Sequence, residues 1–296
     1  MRSISILQDN NPDLDIRFSE NMSDHTSWAV GGPAEIFFMP KNVEELKKVF
    51  SVIKGSLPVT WIGLGSNLLV RDKGVRGMVI CTQKMNKKVE VEDEFIKVSC
   101  SVPCATLAKL GVEKEYGPTL FFSGIPGTVG GALAMNAGSH GFETWDYVSH
   151  VHTLDLNGNE HRRKKSEIDI SYRRATPPNS ECYISAAFKF KKINQSKEDL
   201  KNILKLRKES QPIGERSCGS VFMNPEDDYA GRLIEAVGYK GYIYGGARIS
   251  EKHANFIINN GDATAKDIET LINILIEAIH QKFGIKMQTE VRIIGN

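Results

Sequence analysis

The spacing of apolar and polar residues changes along this chain, and each change predicts a new element. After a Gly-Gly-Pro turn, the apolar residues at the end of segment 24–40 predict a strand. Asn42 and Glu45 then have the spacing of a helix N-terminal capping box, and apolar residues follow at helical intervals. Apolar runs predict strands over 59–62 and 75–80. This alternation of strand and helix is typical of an α/β arrangement.

The rest of the chain continues the mixture of strands and helices. Residues 157–159 are a hairpin turn signal, and Pro103 is placed to open a short helix. Thr264 and Asp267 predict the start of a last long helix, which ends before Gly284. Strands are further predicted over 88–100, 147–156, 161–163, 182–190, 242–249, 253–259 and 287–294, and helices over 196–209 and 229–237.

Five glycines fall within residues 124–138, which we call the glycine stretch. Small or apolar residues separate them and charge is almost absent, unlike in a flexible linker. Backbone N–H groups exposed by glycine turns bind phosphate, above all where a helix begins. The stretch therefore predicts a nucleotide or dinucleotide site. The alternative is a tightly packed loop that binds nothing.

A second glycine segment, residues 63–70, directly follows a predicted strand. The dinucleotide-binding fingerprint requires a third glycine where Leu68 stands, and then a helix. Apolar residues that predict a strand follow instead, which excludes that fingerprint. What remains is a turn with exposed backbone amides and the side chains of Ser66 and Asn67. It is either a pyrophosphate site or a plain polar turn.

Composition and charge limit the kinds of protein that this chain can be. The chain has 296 residues, 41% of them apolar and 25% charged, which suits a soluble globular protein of two or three domains. The net charge of +2 gives no reason to expect nucleic acid, but it permits a local site for an anionic small molecule. The polar N-terminus does not resemble a signal peptide, and no apolar run approaches the length of a membrane span.

The cysteines and histidines do not predict a metal site. The five cysteines are odd in number and scattered, so we expect reduced thiols in a cytoplasm. Cys100 and Cys104 lack the second pair that a zinc ribbon requires. His150 and His152 lie on a strand-like run, where we expect no metal.

Several short motifs occur in an order and spacing that resemble one family. They are Thr-Ser-Trp-Ala-Val-Gly-Gly-Pro-Ala at 26–34, Gly-Ser-Asn-Leu-Leu at 65–69, the glycine stretch, Tyr-Arg at 172–173, Cys-Gly-Ser-Val-Phe-Met-Asn-Pro at 218–225, Gly-Gly-Ala-Arg-Ile-Ser-Glu-Lys-His-Ala-Asn-Phe at 245–256 and Glu-Val-Arg at 290–292. Each motif alone is weak evidence, but together they span nearly the whole chain. The chain resembles the flavin-dependent UDP-N-acetylenolpyruvoylglucosamine reductases of peptidoglycan synthesis.

The resemblance implies a mixed α/β (α+β) fold with an FAD-binding part of the vanillyl-alcohol-oxidase type. Two FAD-binding subdomains are expected at 1–85 and 86–200, and a substrate-binding domain at 201–285. Residues 286–296 are expected to return to the flavin site. The family's longer subclass carries an insertion whose tyrosine covers the substrate. Residues 225–253 are too few to hold it, so the chain resembles the shorter subclass.

The resemblance also implies a reaction. NADPH reduces FAD and leaves, and the enolpyruvyl UDP-sugar then enters and is reduced to UDP-N-acetylmuramate. One alternative is an FAD oxidase on the same fold, although no convincing His or Cys tether for a covalent flavin is present. Another is a nucleotide-binding protein without catalysis. We expect a cytoplasmic monomer that binds a small-molecule substrate and neither nucleic acid nor a membrane.

Three residues match the family's catalytic positions. Ser220 matches the proton donor; the alternative, which the residue type alone favours, is a serine that begins a strand. Arg173 presents a planar fork that suits the enolpyruvyl carboxylate. Glu290, if buried and partly protonated, is expected to hydrogen-bond the developing enolate. Ordinary salt bridges are the alternative for both.

The resemblance also assigns the binding residues. For FAD it implies Gly63, Gly65, Ser66, Asn67, Leu68, Gly124, Ile125, Gly127, Thr128, Gly130, Gly131, Ala132, Asn136, Ala137, Gly138 and Arg292, and for the uridine diphosphate Asn224, Lys240, Arg248 and His253. Met223 departs from the family, in which a basic residue is common at that position. His253 is alternatively a structural histidine, and Cys218 is interpreted as a packing residue.

Overall fold

The computed structural model describes residues 2–92, 95–193 and 195–296, and it divides into two compact units. Unit one consists of residues 1–18, 36–64 and 77–205. Unit two consists of residues 19–35, 65–76 and 206–296. Each unit is therefore assembled from three separate stretches of sequence.

Both units mix helices and strands. The helices are α1 (Arg2–Asn10), α2 (Val43–Ile53), α3 (Cys104–Lys114), α4 (Val129–Ala134), α5 (Lys197–Ser210), α6 (Ala230–Ala236) and α7 (Ala265–Phe283). The strands are β1 (Ile16–Asn21), β2 (Pro33–Phe38), β3 (Val59–Ile62), β4 (Leu68–Val70), β5 (Val75–Cys81), β6 (Val89–Val91), β7 (Ile96–Ser99), β8 (Tyr116–Gly117), β9 (Gly138–Ser139), β10 (Phe142–Glu143), β11 (Val148–Leu154), β12 (Glu160–Lys164), β13 (Asp169–Ser171), β14 (Arg174–Thr176), β15 (Cys182–Phe188), β16 (Lys191–Lys192), β17 (Ile243–Tyr244), β18 (Ala247–Ile249), β19 (Ile257–Asn259) and β20 (Arg292–Ile294).

Unit one contains an antiparallel sheet of order β12–β11–β15–β7–β6. One face of the sheet packs against α3, α4 and a cluster of aromatic side chains, in which Phe122 and Phe188 are fully buried. A second core lies under α2 and the parallel pair β3–β5, where Phe50 meets Trp61 edge-on. Burial of these large rings supplies much of the favourable free energy of this unit.

One of the two hydrogen bonds of the capping box predicted at the start of α2 is confirmed. The Asn42 side chain accepts a hydrogen bond from the Glu45 N–H at 2.9 Å. The Glu45 carboxylate accepts from the N–H of Lys41 at 2.8 Å, one residue earlier than a capping box requires. The predicted hairpin at 157–159 is also confirmed, because β11 and β12 pair antiparallel across it.

Unit two is organised around α7. The buried positions of this helix recur at helical spacing, and they pack against α6, Trp28 and the strands β18 and β19. Its N-terminus has the predicted capping box, in which Asp267 N–H donates to Thr264 at 3.1 Å and Thr264 N–H donates to Asp267 at 2.9 Å. Gly284 ends the helix in a left-handed conformation, as predicted.

Several predicted elements are shorter than the apolar pattern suggests. The predicted strand 242–249 is two short strands, β17 and β18, because a turn at Gly245 interrupts it. The predicted strand 287–294 is regular only over β20. The helices α1 and α4 were not predicted, and Pro103 caps α3 from outside instead of opening it. The prediction over 88–100 gives β6 and β7, but its positions 93 and 94 lie outside the described residues.

Candidate active site

Ser220 begins a segment of unit two that Asn255 holds in place. The N–H of Val221 donates to the Asn255 carbonyl at 2.9 Å. The backbone N–H of Phe222 donates to the Asn255 side-chain oxygen, and the Asn255 amide donates to the Phe222 carbonyl, both at 2.9 Å. Asn255 is buried, so these three hydrogen bonds are shielded from water. These hydrogen bonds fix the position of the backbone of Val221 and Phe222, directly after Ser220.

The same segment pairs with the stretch that carries Glu290. Glu290 N–H donates to the Val221 carbonyl at 2.8 Å, and Met223 N–H donates to the Gln288 carbonyl at 2.9 Å. An antiparallel bridge joins Phe222 to Thr289 between these two bonds. The structure therefore brings Ser220 and Glu290 onto adjacent backbone segments, although they are far apart in the sequence. Both side chains are half-buried.

Asn67 connects this pair of segments to the second glycine segment. Its side-chain amide donates to the Glu290 carbonyl at 3.0 Å, and its carbonyl accepts from Arg292 N–H at 3.2 Å. The parallel pairing of β4 with β20 begins there, with Leu68 opposite Arg292. Ser220, Glu290, Asn67 and Arg292 thus belong to one hydrogen-bonded framework in unit two.

Cys218 packs beneath this framework. Its thiol donates to the Leu68 carbonyl at 3.4 Å, and burial raises its pKa to about 12. The reactive form of cysteine is the thiolate, which is negligible at neutral pH with such a pKa. The arrangement supports the interpretation of Cys218 as a packing residue.

The glycine stretch belongs to unit one, and contacts within the protein account for some of its glycines. A Cβ added at Gly130 would lie 2.9 Å from the Cβ of Cys100, and one added at Gly124 would lie 2.4 Å from the Ser139 hydroxyl. The stretch includes the end of a 3₁₀ helix at Gly124 and the short helix α4. The packing alternative therefore explains part of the glycine content.

Gly63 and Thr128 of unit one show a different arrangement. A Cβ added at Gly63 would lie 2.7 Å from the Thr128 hydroxyl. That hydroxyl is buried and has no hydrogen-bond partner among the described residues. A buried polar group left unpaired costs about 1–3 kcal/mol. A bound group rich in oxygen acceptors, such as a pyrophosphate, would remove that cost.

Arg173 also belongs to unit one, and its side chain is largely buried. Its guanidinium lies 4.5 Å from the centre of the Tyr172 ring and 3.4 Å from a carboxylate oxygen of Glu143. Asn136, which we predicted as a cofactor residue, donates from its side chain to Glu143 at 2.7 Å and to the Ser171 carbonyl at 3.3 Å. Glu143 was not anticipated, because a single glutamate on a short hairpin has no pattern that distinguishes it.

The four predicted substrate residues all lie in unit two and all make hydrogen bonds there. The Asn224 side chain accepts the N–H of Ala230, the first residue of α6, at 3.1 Å. The Lys240 ammonium lies 2.7 Å from Glu235. Arg248 donates to Asn260 at 2.7 Å and pairs with Glu215. An anionic ligand at these residues would compete with the carboxylates that now pair with the two cations.

His253 packs edge-on against Phe256 with its Nδ1 accepting the N–H of Asn255 at 3.2 Å. Burial lowers the pKa of this imidazole; the nearby Lys240 ammonium adds to the effect, whereas Glu235 opposes it. Nδ1 is therefore unprotonated, and a neutral ring carries its proton on Nε2. His253 also steadies Asn255, the residue that holds the segment after Ser220.

The described residues contain neither a cluster of metal ligands nor a helix that could cross a membrane. In residues 2–92, 95–193 and 195–296, no group of three or more His, Cys, Asp and Glu side chains has a metal-binding arrangement. Over the same residues, no helix is both long enough and apolar enough to span a membrane.

Comparisons with known proteins agree on one family. A model described as "FAD binding domain" matches residues 34–163, and the C-terminal domain of UDP-N-acetylenolpyruvoylglucosamine reductase matches residues 211–294. The chain is 43% identical over 279 residues to the UDP-N-acetylenolpyruvoylglucosamine reductase of Methylococcus capsulatus. The aligned region covers 93% of this chain and 92% of that protein. The reductase of Legionella pneumophila strain Paris is 42% identical over 283 residues. The aligned region covers 94% of this chain and 93% of that protein.

A solved structure supports the same conclusion for the fold. The crystal structure of UDP-N-acetylenolpyruvylglucosamine reductase (MurB) from Thermus caldophilus matches with a TM-score of 0.78 and 29% sequence identity. The match covers 95% of this chain and 99% of that one. The predicted α+β fold with an FAD-binding part is confirmed.

The buried His253 predicts a pH dependence of stability. Its pKa is lower in the folded protein than the ordinary value of about 6.5, so the unfolded chain binds the proton more readily. This contribution to stability is complete above about pH 6.5 and is lost as the pH falls towards the folded pKa. We expect the melting temperature of His253→Gln to vary less between pH 7 and pH 5 than that of the wild type.

Asn202→Gln on the exposed side of α5, which adds and removes no titratable group, supplies the control and should keep the wild-type dependence on pH. An unchanged pH dependence in His253→Gln would show that protonation of His253 does not affect folding.

Proposed function

Because this chain belongs to the UDP-N-acetylenolpyruvoylglucosamine reductase family, we propose that it reduces the enolpyruvyl group of that UDP-sugar to give UDP-N-acetylmuramate. FAD is the flavin and NADPH the hydride donor. Family membership favours this activity over the FAD oxidase alternative. The observation that supports it most strongly is the pairing of residues 221–223 with residues 288–291, which brings the backbone segments of Ser220 and Glu290 next to each other.

We assign FAD binding to the residues predicted from the sequence: the glycine stretch with Thr128, Gly63, residues 65–68 and Arg292. The buried Thr128 hydroxyl and the side-chain-free Gly63 beside it suit an oxygen-rich group such as the FAD pyrophosphate. Bound and reduced FAD supplies hydride chemistry, and the protein supplies position and charge. Because the stretch carries little charge, backbone amides make most of these contacts.

The proposed role of Arg173 follows from the electronic demands of the substrate. When hydride adds to the terminal carbon of the enolpyruvyl C=C bond, negative charge develops on the carbon that bears the carboxylate and delocalises into that group. A guanidinium binds a carboxylate through two parallel hydrogen bonds and stabilises this charge. Arg173 therefore binds the substrate carboxylate and becomes more effective as the charge grows.

Ser220 and Glu290 complete the addition. Ser220 gives its hydroxyl proton to the carbon next to the carboxylate, which forms the second new C–H bond. A serine hydroxyl is a weak acid, so a neighbouring group must stabilise the change in charge. Glu290, on the paired segment, donates a hydrogen bond to the developing enolate when its carboxyl group is protonated.

We assign the uridine diphosphate to Asn224, Lys240, Arg248 and His253. Lys240 and Arg248 each exchange a carboxylate partner for a phosphate oxygen, so their pairs with Glu235 and Glu215 are alternatives to the bound substrate. His253 donates from Nε2 as a neutral ring, because its Nδ1 is occupied by Asn255. Met223 offers no positive charge at a position where the family commonly has one.

The proposal also covers the location, oligomeric state and domain boundaries of the protein. The protein acts as a cytoplasmic monomer of the shorter subclass on a small-molecule substrate. Residues 1–85, 86–200 and 201–285 are its two FAD-binding subdomains and substrate-binding domain, with 286–296 at the flavin site. These boundaries remain predictions.

The central test separates the two half-reactions. NADPH should bleach the flavin of the wild-type protein, and the enolpyruvyl nucleotide should restore its colour much faster than oxygen does. Ser220→Ala should slow reoxidation by the nucleotide about 100-fold or more, because the proton donor is lost. Reduction by NADPH should change little. Both rates are measured by rapid mixing at the flavin absorption band.

Ser217→Ala is the control, since Ser217 lies three residues earlier and has no proposed role. It should match the wild type in both half-reactions. An equal loss in both half-reactions of Ser220→Ala would refute the proton-donor role. Equally fast reoxidation of the wild type by oxygen would favour the oxidase.

The Thr128 hydroxyl predicts an effect on cofactor affinity. Thr128→Val keeps the shape of the side chain but removes the donor, so FAD should bind at least about tenfold more weakly. Quenching of flavin fluorescence during titration of the FAD-free protein measures this. Thr106→Val on the exposed side of α3 should leave the affinity unchanged. Equal FAD affinity in Thr128→Val and the wild type would refute the contact.

A further inference from the structure

The backbone and the neighbours of Arg173 restrict where its guanidinium can lie. The residue has a φ of +59°, in the left-handed region that side-chain-bearing residues seldom adopt. Tyr172 packs against the guanidinium, and the side chain is only 16% exposed. Strained backbone of this kind persists only where the surroundings determine it, and it is concentrated at functional sites.

Glu143 is an acidic residue in contact with this guanidinium. One of its carboxylate oxygens lies 3.4 Å from a terminal nitrogen of Arg173. The other accepts the Asn136 side-chain amide at 2.7 Å. A carboxylate held at one oxygen by a buried amide presents its second oxygen in a defined direction.

Asn136 is itself fixed by further hydrogen bonds. Its amide also donates to the Ser171 carbonyl, its side-chain oxygen accepts the N–H of Trp145 at 3.2 Å, and the residue is 2% exposed. Its backbone carbonyl lies 3.5 Å from the same Arg173 nitrogen that faces Glu143. A continuous network therefore runs from the buried Trp145 backbone through Asn136 and Glu143 to Arg173.

Gly138 completes the arrangement by its lack of a side chain. A Cβ at this position would lie 3.1 Å from the terminal nitrogen of Arg173, 3.2 Å from Cγ of Glu143 and 2.6 Å from the Phe142 carbonyl. Any larger residue would disturb the Glu143–Arg173 pair. This gives Gly138 a role in the ion pair that does not depend on a bound cofactor.

We propose that Glu143 is a positioning residue, whose carboxylate orients the Arg173 guanidinium towards the carboxylate of the enolpyruvyl substrate. This inference rests on the role of Arg173 under the proposed function. A guanidinium has five N–H donors, so an anchoring carboxylate at one terminal nitrogen is compatible with a second carboxylate at its other edge. Glu143 acts only through Arg173 and does not contact the substrate.

The test compares two ligands that differ in the enolpyruvyl carboxylate. Isothermal titration of the oxidised, FAD-loaded protein measures the Kd of the enolpyruvyl nucleotide and of UDP-N-acetylglucosamine. Glu143→Gln keeps an acceptor for Asn136 but loses the charge, and it should weaken binding of the enolpyruvyl nucleotide about tenfold. Binding of UDP-N-acetylglucosamine should change less than about twofold. Glu143→Asp, which keeps the charge, should recover part of the loss.

A double-mutant cycle separates positioning from a general structural effect. When Arg173→Ala is already present, Glu143→Gln should alter either Kd by less than about twofold. Asp146→Asn, which removes a carboxylate bonded to the backbone of Glu143, is the local control and should leave the ratio of the two Kd values unchanged.

Four outcomes would count against the inference. They are an unchanged Kd in Glu143→Gln, tighter binding, an equal loss for both ligands, and an undiminished effect in the Arg173→Ala background. Failure of the proposed function has a different signature. In that case the wild-type protein itself would not be reoxidised by the enolpyruvyl nucleotide, whatever residue stands at 143.

Discussion

The proposed catalytic groups of unit two depend on the backbone hydrogen bonds between residues 221–223 and 288–291. These bonds place Glu290 one residue away from the position opposite Ser220, and Asn255 holds the other side of the same segment. Neither Ser220 nor Glu290 belongs to a long regular element that could position it alone. Removal of one of these hydrogen bonds would therefore shift both groups together. The buried Cys218 thiol and Asn67 extend the support to the second glycine segment.

Elements with strong local signals could be predicted from the sequence. The strand β3, the hairpin of β11 and β12 and the cap of α7 were predicted because each depends on residues close together in the chain. The run at 287–294 predicts one regular strand, but its first part pairs with residues 221–223 through backbone hydrogen bonds and an isolated bridge, and regular pairing is confined to β20 with β4. The break between β17 and β18 comes from a glycine turn within an apolar run. Burial and hydrogen bonding are separate properties, and an apolar pattern reports only the first.

Only part of the candidate site could be predicted from the sequence. Motif resemblance identified Ser220, Arg173 and Glu290 as candidates, but it gave no contacts for them. It also treated the glycine stretch as one phosphate-binding loop. The structure distinguishes its members: Gly130 lies against Cys100, Gly138 adjoins an ion pair, and Thr128 has the unpaired hydroxyl. Glu143 and Asn255 escaped prediction because their partners are distant or backbone groups, which leave no local pattern in the sequence.

The parallel pairing of β4 with β20 has a consequence for how the protein is made. β4 is translated early, whereas residues 288–294 emerge from the ribosome only after nearly all of the rest of unit two. During synthesis, β4, the Val221 carbonyl and the Met223 N–H therefore remain without these late partners. Unit one has its sequence complete by residue 205 and can fold earlier. A nascent chain would therefore acquire the surroundings of Arg173 well before the pairing that brings Glu290 to Ser220.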